Sequence, residues 1–144
     1  MNFGAPKLFI AIVSLSCVGC FASYYNSQAT KRLKTEMLHE EFEKIADEAY
    51  PPLVDHLGRN DLIRQSRELT DELKAIDPEL NWQPSSFRPD PSAGLNDTNF
   101  TAVDIFGPSG KVTLTIDWMD NFRMCGIGII KDNNDPGHGF RVCD

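Results

Sequence analysis

Three groups of residues in this chain have types that could do chemistry. The first group closes the chain. Cys125 and Cys143 bracket a polar stretch, Lys131-Asp132-Asn133-Asn134-Asp135-Pro136-Gly137-His138-Gly139, that could be a stapled hairpin, a metal loop or a catalytic loop. As a calcium loop it offers Asp132, Asn134 and Gly137 at suitable spacing, but Pro136 takes a ligand position and Cys143 stands where a bidentate glutamate belongs. As a catalytic loop it pairs His138 with Cys143, yet a cysteine with a partner across a hairpin is more often oxidised than nucleophilic. Arithmetic favours the staple. A hairpin folded about the middle of residues 131–139 pairs positions summing to about 270, and Cys125 with Cys143 gives 268. That bond would enclose 17 residues. It would contribute roughly 3 kcal/mol and imply an oxidising compartment. Both thiols are expected beside the sheet face that carries Arg123, Ile127 and Arg141.

The second group is His39-Glu40-Glu41-Phe42-Glu43 with Glu36 before it. It resembles a zinc-protease helix in which Glu43 replaces the second histidine, and Glu36 with His39 matches one half of a carboxylate di-iron pair. The complement is missing, because His56 has Leu53 three residues before it. Charges at this spacing are what a solvated helix face shows. The third group is Cys17-Val18-Gly19-Cys20, which has CxxC spacing but lies in an apolar run, where thiolate formation is suppressed. The sequence contains no glycine-rich phosphate loop and no Gly-x-Ser-x-Gly elbow. No catalytic residue, cofactor or metal site is therefore expected.

The elements that position these groups begin with Leu8–Tyr25, 18 residues without a charge behind Lys7. This run just reaches the ~20 residues of a membrane helix and exceeds a usual signal-peptide core. An uncleaved anchor through residues 8–25 is the first expectation. Cleavage after Ala22 is the second and lipidation of Cys20 the third, since Val18-Gly19-Cys20 resembles the end of a bacterial lipobox. Lys31, Arg32 and Lys34 beyond the run would by charge count hold the rest in the cytoplasm. The cysteine pair argues for the opposite side, and we follow the cysteines.

From Leu33 the pattern is helical, with Leu38, Phe42, Ile45 and Ala49 on one stripe. No proline occurs from Leu8 to Ala49, so the spacing predicts one rod of 42 residues, on the order of 60 Å, ended by Pro51-Pro52. A second helix should start near Asn60, carry Leu62, Leu69, Leu73 and Ile76, and stop at Asp77-Pro78. Residues 77–99 hold four prolines and read as a connecting loop, which Trp82 and Phe87 suggest packs over the domain, with an exposed linker as the alternative. Asn96-Asp97-Thr98 and Asn99-Phe100-Thr101 match the glycosylation acceptor pattern and mark surface chain. Strands follow at Thr101–Phe106, Lys111–Trp118, Phe122–Ile130 and Phe140–Cys143, with turns at Pro108-Ser109-Gly110 and Asp120-Asn121.

The expected fold class is α+β. An apolar helix continues into an amphipathic helix, a second helix follows, and a meander of three to four antiparallel strands carries the helices on one face. The divisions are 1–30 anchor or signal, 31–76 helices, 77–99 loop and 100–144 sheet. A chain of 144 residues has room for one domain and an appendage. Its net charge of −7 disfavours nucleic acid and anionic lipid, both of which need Lys and Arg against their phosphates, and suits a basic protein partner. The order of apolar helix, amphipathic continuation, meander and C-terminal cysteine loop resembles the general plan of type IV pilins and pseudopilins. The run after Gly4, Ala5-Pro6-Lys7-Leu8-Phe9, lacks that family's processing-site glutamate. The function expected is a membrane-anchored, extracytoplasmic, non-enzymatic binding or accessory module. A pilin-like structural subunit or an envelope immunity or inhibitor protein stands as the alternative.

Overall fold

A computed structural model describes residues 27–87, 99–131 and 137–143. The expected anchor, the three fates of residues 1–26 and Cys20 lie outside them. No helix among the described residues is long and apolar enough to cross a membrane.

Among the described residues, four α-helices precede a five-stranded sheet. The first, α1, covers residues 27–38 and buries Ala29, Leu33, Glu36 and Met37 along one stripe. The expected single rod does not continue through it. Glu40 adopts a left-handed φ of 59°, and the Glu41 N–H closes the turn onto the Glu36 carbonyl at 2.9 Å. The stripe then resumes in a separate helix, α2 (Phe42–Glu48), which buries Phe42, Ile45 and Ala46. An apolar repeat does not reveal such a break, because both halves need the same stripe to reach one core.

Pro51-Pro52 marks a beginning as well as an end. The two prolines occupy the first turn of α3 (Pro51–Leu57), where a missing N–H leaves nothing unsatisfied. Gly58, at φ 83°, ends α3 and precedes α4 (Arg59–Ile76), whose Leu62, Ser66, Leu69, Thr70 and Leu73 form one buried face. Asp77 closes α4 and folds the chain back. Its carboxylate accepts the N–H groups of Glu79 (3.1 Å) and Asn81 (2.8 Å), which hold its pKa below the ordinary value.

The sheet runs in chain order, each strand antiparallel to the next: β1 (Gln83–Pro84), β2 (Asn99–Gly107), β3 (Gly110–Met119), β4 (Arg123–Ile130) and β5 (His138–Arg141). The sequence reading missed β1, two residues inside the Pro-rich loop that pair with Asp104 and Val103. Val112, Leu114, Ile116 and Trp118 of β3 face the helices, with Val103 and Ile105 of β2 and Met124, Ile127 and Ile129 of β4 beside them. Gly107 is where the β2–β3 hairpin meets α4, since a Cβ there would run into the Ile76 carbonyl.

Candidate functional site

The face of the sheet turned away from the helices carries cross-strand rows that follow from the register. Phe106 pairs with Lys111, and Asp104 lies beside Thr113 and Ile130. Ala102 lies beside Thr115, Gly128 and Gly139, and Phe100 beside Asp117, Gly126 and Arg141. Thr113, Thr115 and Asp117 are the alternate positions of β3, and the β period places them opposite its apolar face.

Two carboxylates on this face are buried. Asp104 is 6% exposed, accepts the Thr113 hydroxyl at 2.6 Å and faces Lys111 Nζ at 3.5 Å. Burial pushes its pKa up, but the hydroxyls of Thr113 and Ser85 and the Lys111 charge outweigh that and hold it below the ordinary value. Asp117, also 6% exposed, meets Arg141 Nε at 3.4 Å. The Arg141 stem crosses Gly126 to get there, and a Cβ on Gly126 would lie 2.9 Å from Arg141 Cγ. Gly126 thus lies under the Arg141 stem, and Gly128 and Gly139 continue the strip as backbone without side chains.

The disulfide edges this strip. Cys125 and Cys143 are bonded, with Cα atoms 5.1 Å apart, as the hairpin arithmetic expects. The detail differs in one way. Gly126 pairs with Asp117 but Met124 pairs with Trp118, so Cys125 is the extra residue of a β-bulge. The bulge shifts the alternation. Ile127 pairs with Ile116 on the helix side, while Arg141 pairs with Gly126 on the open side, so the residues expected on one face beside the thiols are split between two. Cys125 is fully buried and Cys143 nearly so.

The remaining sequence candidates do not converge. Glu36 is buried and His39 is exposed past the end of α1, so the half-motif they formed in sequence is not built. Glu43 and His56 are exposed on α2 and α3. His138 Nε2 lies 2.8 Å from Glu72 on α4, which Lys131 also contacts. Residues 132–136 of the loop lie outside the described residues. No group of three or more His, Cys, Asp or Glu able to hold a metal occurs among the described residues.

Sequence reasoning also missed two other features. One is a charge cluster at α1 in which Glu36 is buried while Arg32, Lys44 and Glu48 are partly exposed. Glu36 lies 3.5 Å from Lys44 and 3.9 Å from Arg32, and Arg32 reaches Glu48 at 2.9 Å. Burial first, and then the neighbouring Glu48, raise the Glu36 pKa above the ordinary value despite Lys44 and Arg32. The other is a groove of about 560 Å³ between α1 and the β1–β2 edge, lined in part by Lys31, Lys34, Trp82 and Phe100. Trp82 and Phe100 were visible as aromatics in a loop and a strand, but nothing in their spacing joins them to α1.

No family model, curated protein or solved structure matches this chain.

Proposed function

We propose that this chain is a module of the cell envelope, anchored through residues 8–25 with its folded domain outside the cytoplasm. It acts by binding a protein partner and not by catalysis. The observation that carries this reading is the buried Cys125–Cys143 disulfide, since such bonds persist where thiols are not kept reduced. An apolar run of 18 residues at the other end of the chain supports it.

A binding role is supported by the kind of surface present. On the sheet's open face, the buried polar groups bond one another and leave a shaped, rigid surface, which suits recognition. The helices add negative charge, with exposed Glu43, Asp55 and Asp71 alongside the paired Asp47, Asp61 and Glu68. A basic partner would be steered by that field.

The filament alternative rests on polymerisation through the N-terminal helix, and filament formation by the full-length chain would favour it. Inhibitor function shares the acidic surface and differs only in the partner. The test is to express the full chain, fractionate it, and titrate free thiols without reduction. Resistance to alkaline carbonate extraction with Cys125 and Cys143 joined supports the reading, and recovery in the soluble fraction with two free thiols overturns it. Cross-linking in the native membrane then separates an inhibitor, joined one-to-one to a single basic protein, from an accessory subunit.

A further inference from the structure

We propose that the groove between α1 and the β1–β2 edge binds the anionic headgroup of a membrane phospholipid, so that the domain rests on the bilayer beside its own anchor. This assignment rests on the anchored reading above.

Charge is the first argument. In a chain with 21 acidic residues, most cations are taken: Arg32, Lys44, Arg59, Arg64, Lys74, Lys111, Lys131 and Arg141 each meet a carboxylate within 4 Å. Lys31, Lys34, Arg67 and Arg123 have no such partner among the described residues, and of these Lys31 and Lys34 line the groove, whose described lining holds no acidic residue. The field of Asp77 reaches Lys34, but the Asp77 oxygens are occupied by the Asn81 and Glu79 N–H groups. Two cations one helical turn apart, spared by an acidic protein, are matched by a phosphate.

The second argument is the opposite wall. Trp82 and Phe100 line the groove on the strand side, and the Trp82 indole N–H is buried with no acceptor among the described residues. An unmet buried donor is costly, and a ligand acceptor that reached it would recover that cost. Indole rings with a lysine pair are the side chains that settle at a membrane interface, where one end is apolar and the other wet.

Reach is the third argument. Lys31 follows Tyr25, the end of the apolar run, by six residues. Six residues span about 20 Å at most in any conformation and about 9 Å in a helix. The headgroup layer on each side of the hydrocarbon is roughly 5–8 Å thick. The groove therefore cannot lie far from the lipid surface if residues 8–25 are inserted.

The test uses the full chain reconstituted into vesicles of phosphatidylcholine alone or mixed with phosphatidylglycerol, each containing lipid brominated near the headgroup. Flotation reads the anchor, and tryptophan quenching reads the groove. The chain has two tryptophans, and Trp118 is sealed in the core at 2% exposure. Quenching should be stronger with phosphatidylglycerol and should vanish in Trp82→Phe. The docking equilibrium should fall about fivefold in each of Lys31→Gln and Lys34→Gln. All three variants should float like the wild type, with unchanged far-ultraviolet spectra. A chain that floats with Trp82 unquenched, or quenched equally in both lipids, overturns the assignment and leaves the anchor standing. A chain that does not float overturns the anchor, and the assignment with it.

Discussion

Two buried carboxylates, one under each layer of the molecule, reach opposite electrostatic outcomes. Glu36 beneath α1 and Asp104 on the open sheet face are 2% and 6% exposed. Burial alone would raise both pKa values. Asp104 ends below its ordinary value because a hydroxyl donor 2.6 Å away and other donors stabilise the charged form. Glu36 ends above its own because Glu48 adds repulsion to desolvation, and Lys44 and Arg32 stand at 3.5 Å and 3.9 Å. Burial therefore does not by itself decide the direction of a pKa shift. Directed donors do, and the sheet supplies them because its register holds Thr113 opposite Asp104.

The largest expected effect tests whether the disulfide keeps the sheet side rigid. Cys125→Ser and Cys143→Ser should each lose roughly 2–4 kcal/mol in denaturant unfolding, and the double variant should lose about as much as either single, because one bond is removed each time. Additive losses would mean that the two sulfurs act separately. Next, Asp104→Asn should cost about 1–2 kcal/mol at neutral pH, since a charge-assisted hydrogen bond weakens and the Lys111 attraction is lost.

The sign of the pH dependence separates the two carboxylates. A lowered folded pKa means that Asp104 adds stability above its unfolded value of 3.8 and loses it as pH falls toward the folded pKa. A raised folded pKa means that Glu36 binds its proton more tightly when folded. Its contribution is fully present below the unfolded value of 4.5 and is lost as pH rises through the folded pKa. Glu36→Gln should therefore leave stability at pH 7 within about 1 kcal/mol of wild type or slightly above it, and should flatten the pH profile above 4.5. A loss of about 3 kcal/mol or more would show that Lys44 and Arg32 dominate, and the comparison would fail.

The smallest effect is expected at the histidines. His138→Ala removes a half-exposed pair with Glu72, which keeps Lys131, and should change stability by at most about 1 kcal/mol. His39→Ala and His56→Ala should change it less, and all three should leave partner binding within a few-fold of wild type. A hundredfold loss from any one would reveal a site in place of a solvated surface.

Periodicity and turn chemistry in the sequence already determined the α+β class, the antiparallel order of the long strands, the stop of α4 at Asp77 and the Cys125–Cys143 bond. Each is local or depends on one short hairpin, so residue spacing contains it. Three features were decided only by tertiary structure. The break at Glu40 leaves the apolar stripe intact, so no period records it. The two residues of β1 have no pattern of their own and become a strand only because β2 offers an edge. The bulge at Cys125 reverses which face Ile127 occupies, because one unpaired residue shifts every later side chain by one place. The groove at α1 and the Glu36 and Asp104 environments belong to the same class. The groove joins residues tens of positions apart, and the chemistry of all three depends on distances of a few ångströms that only the packed layers set.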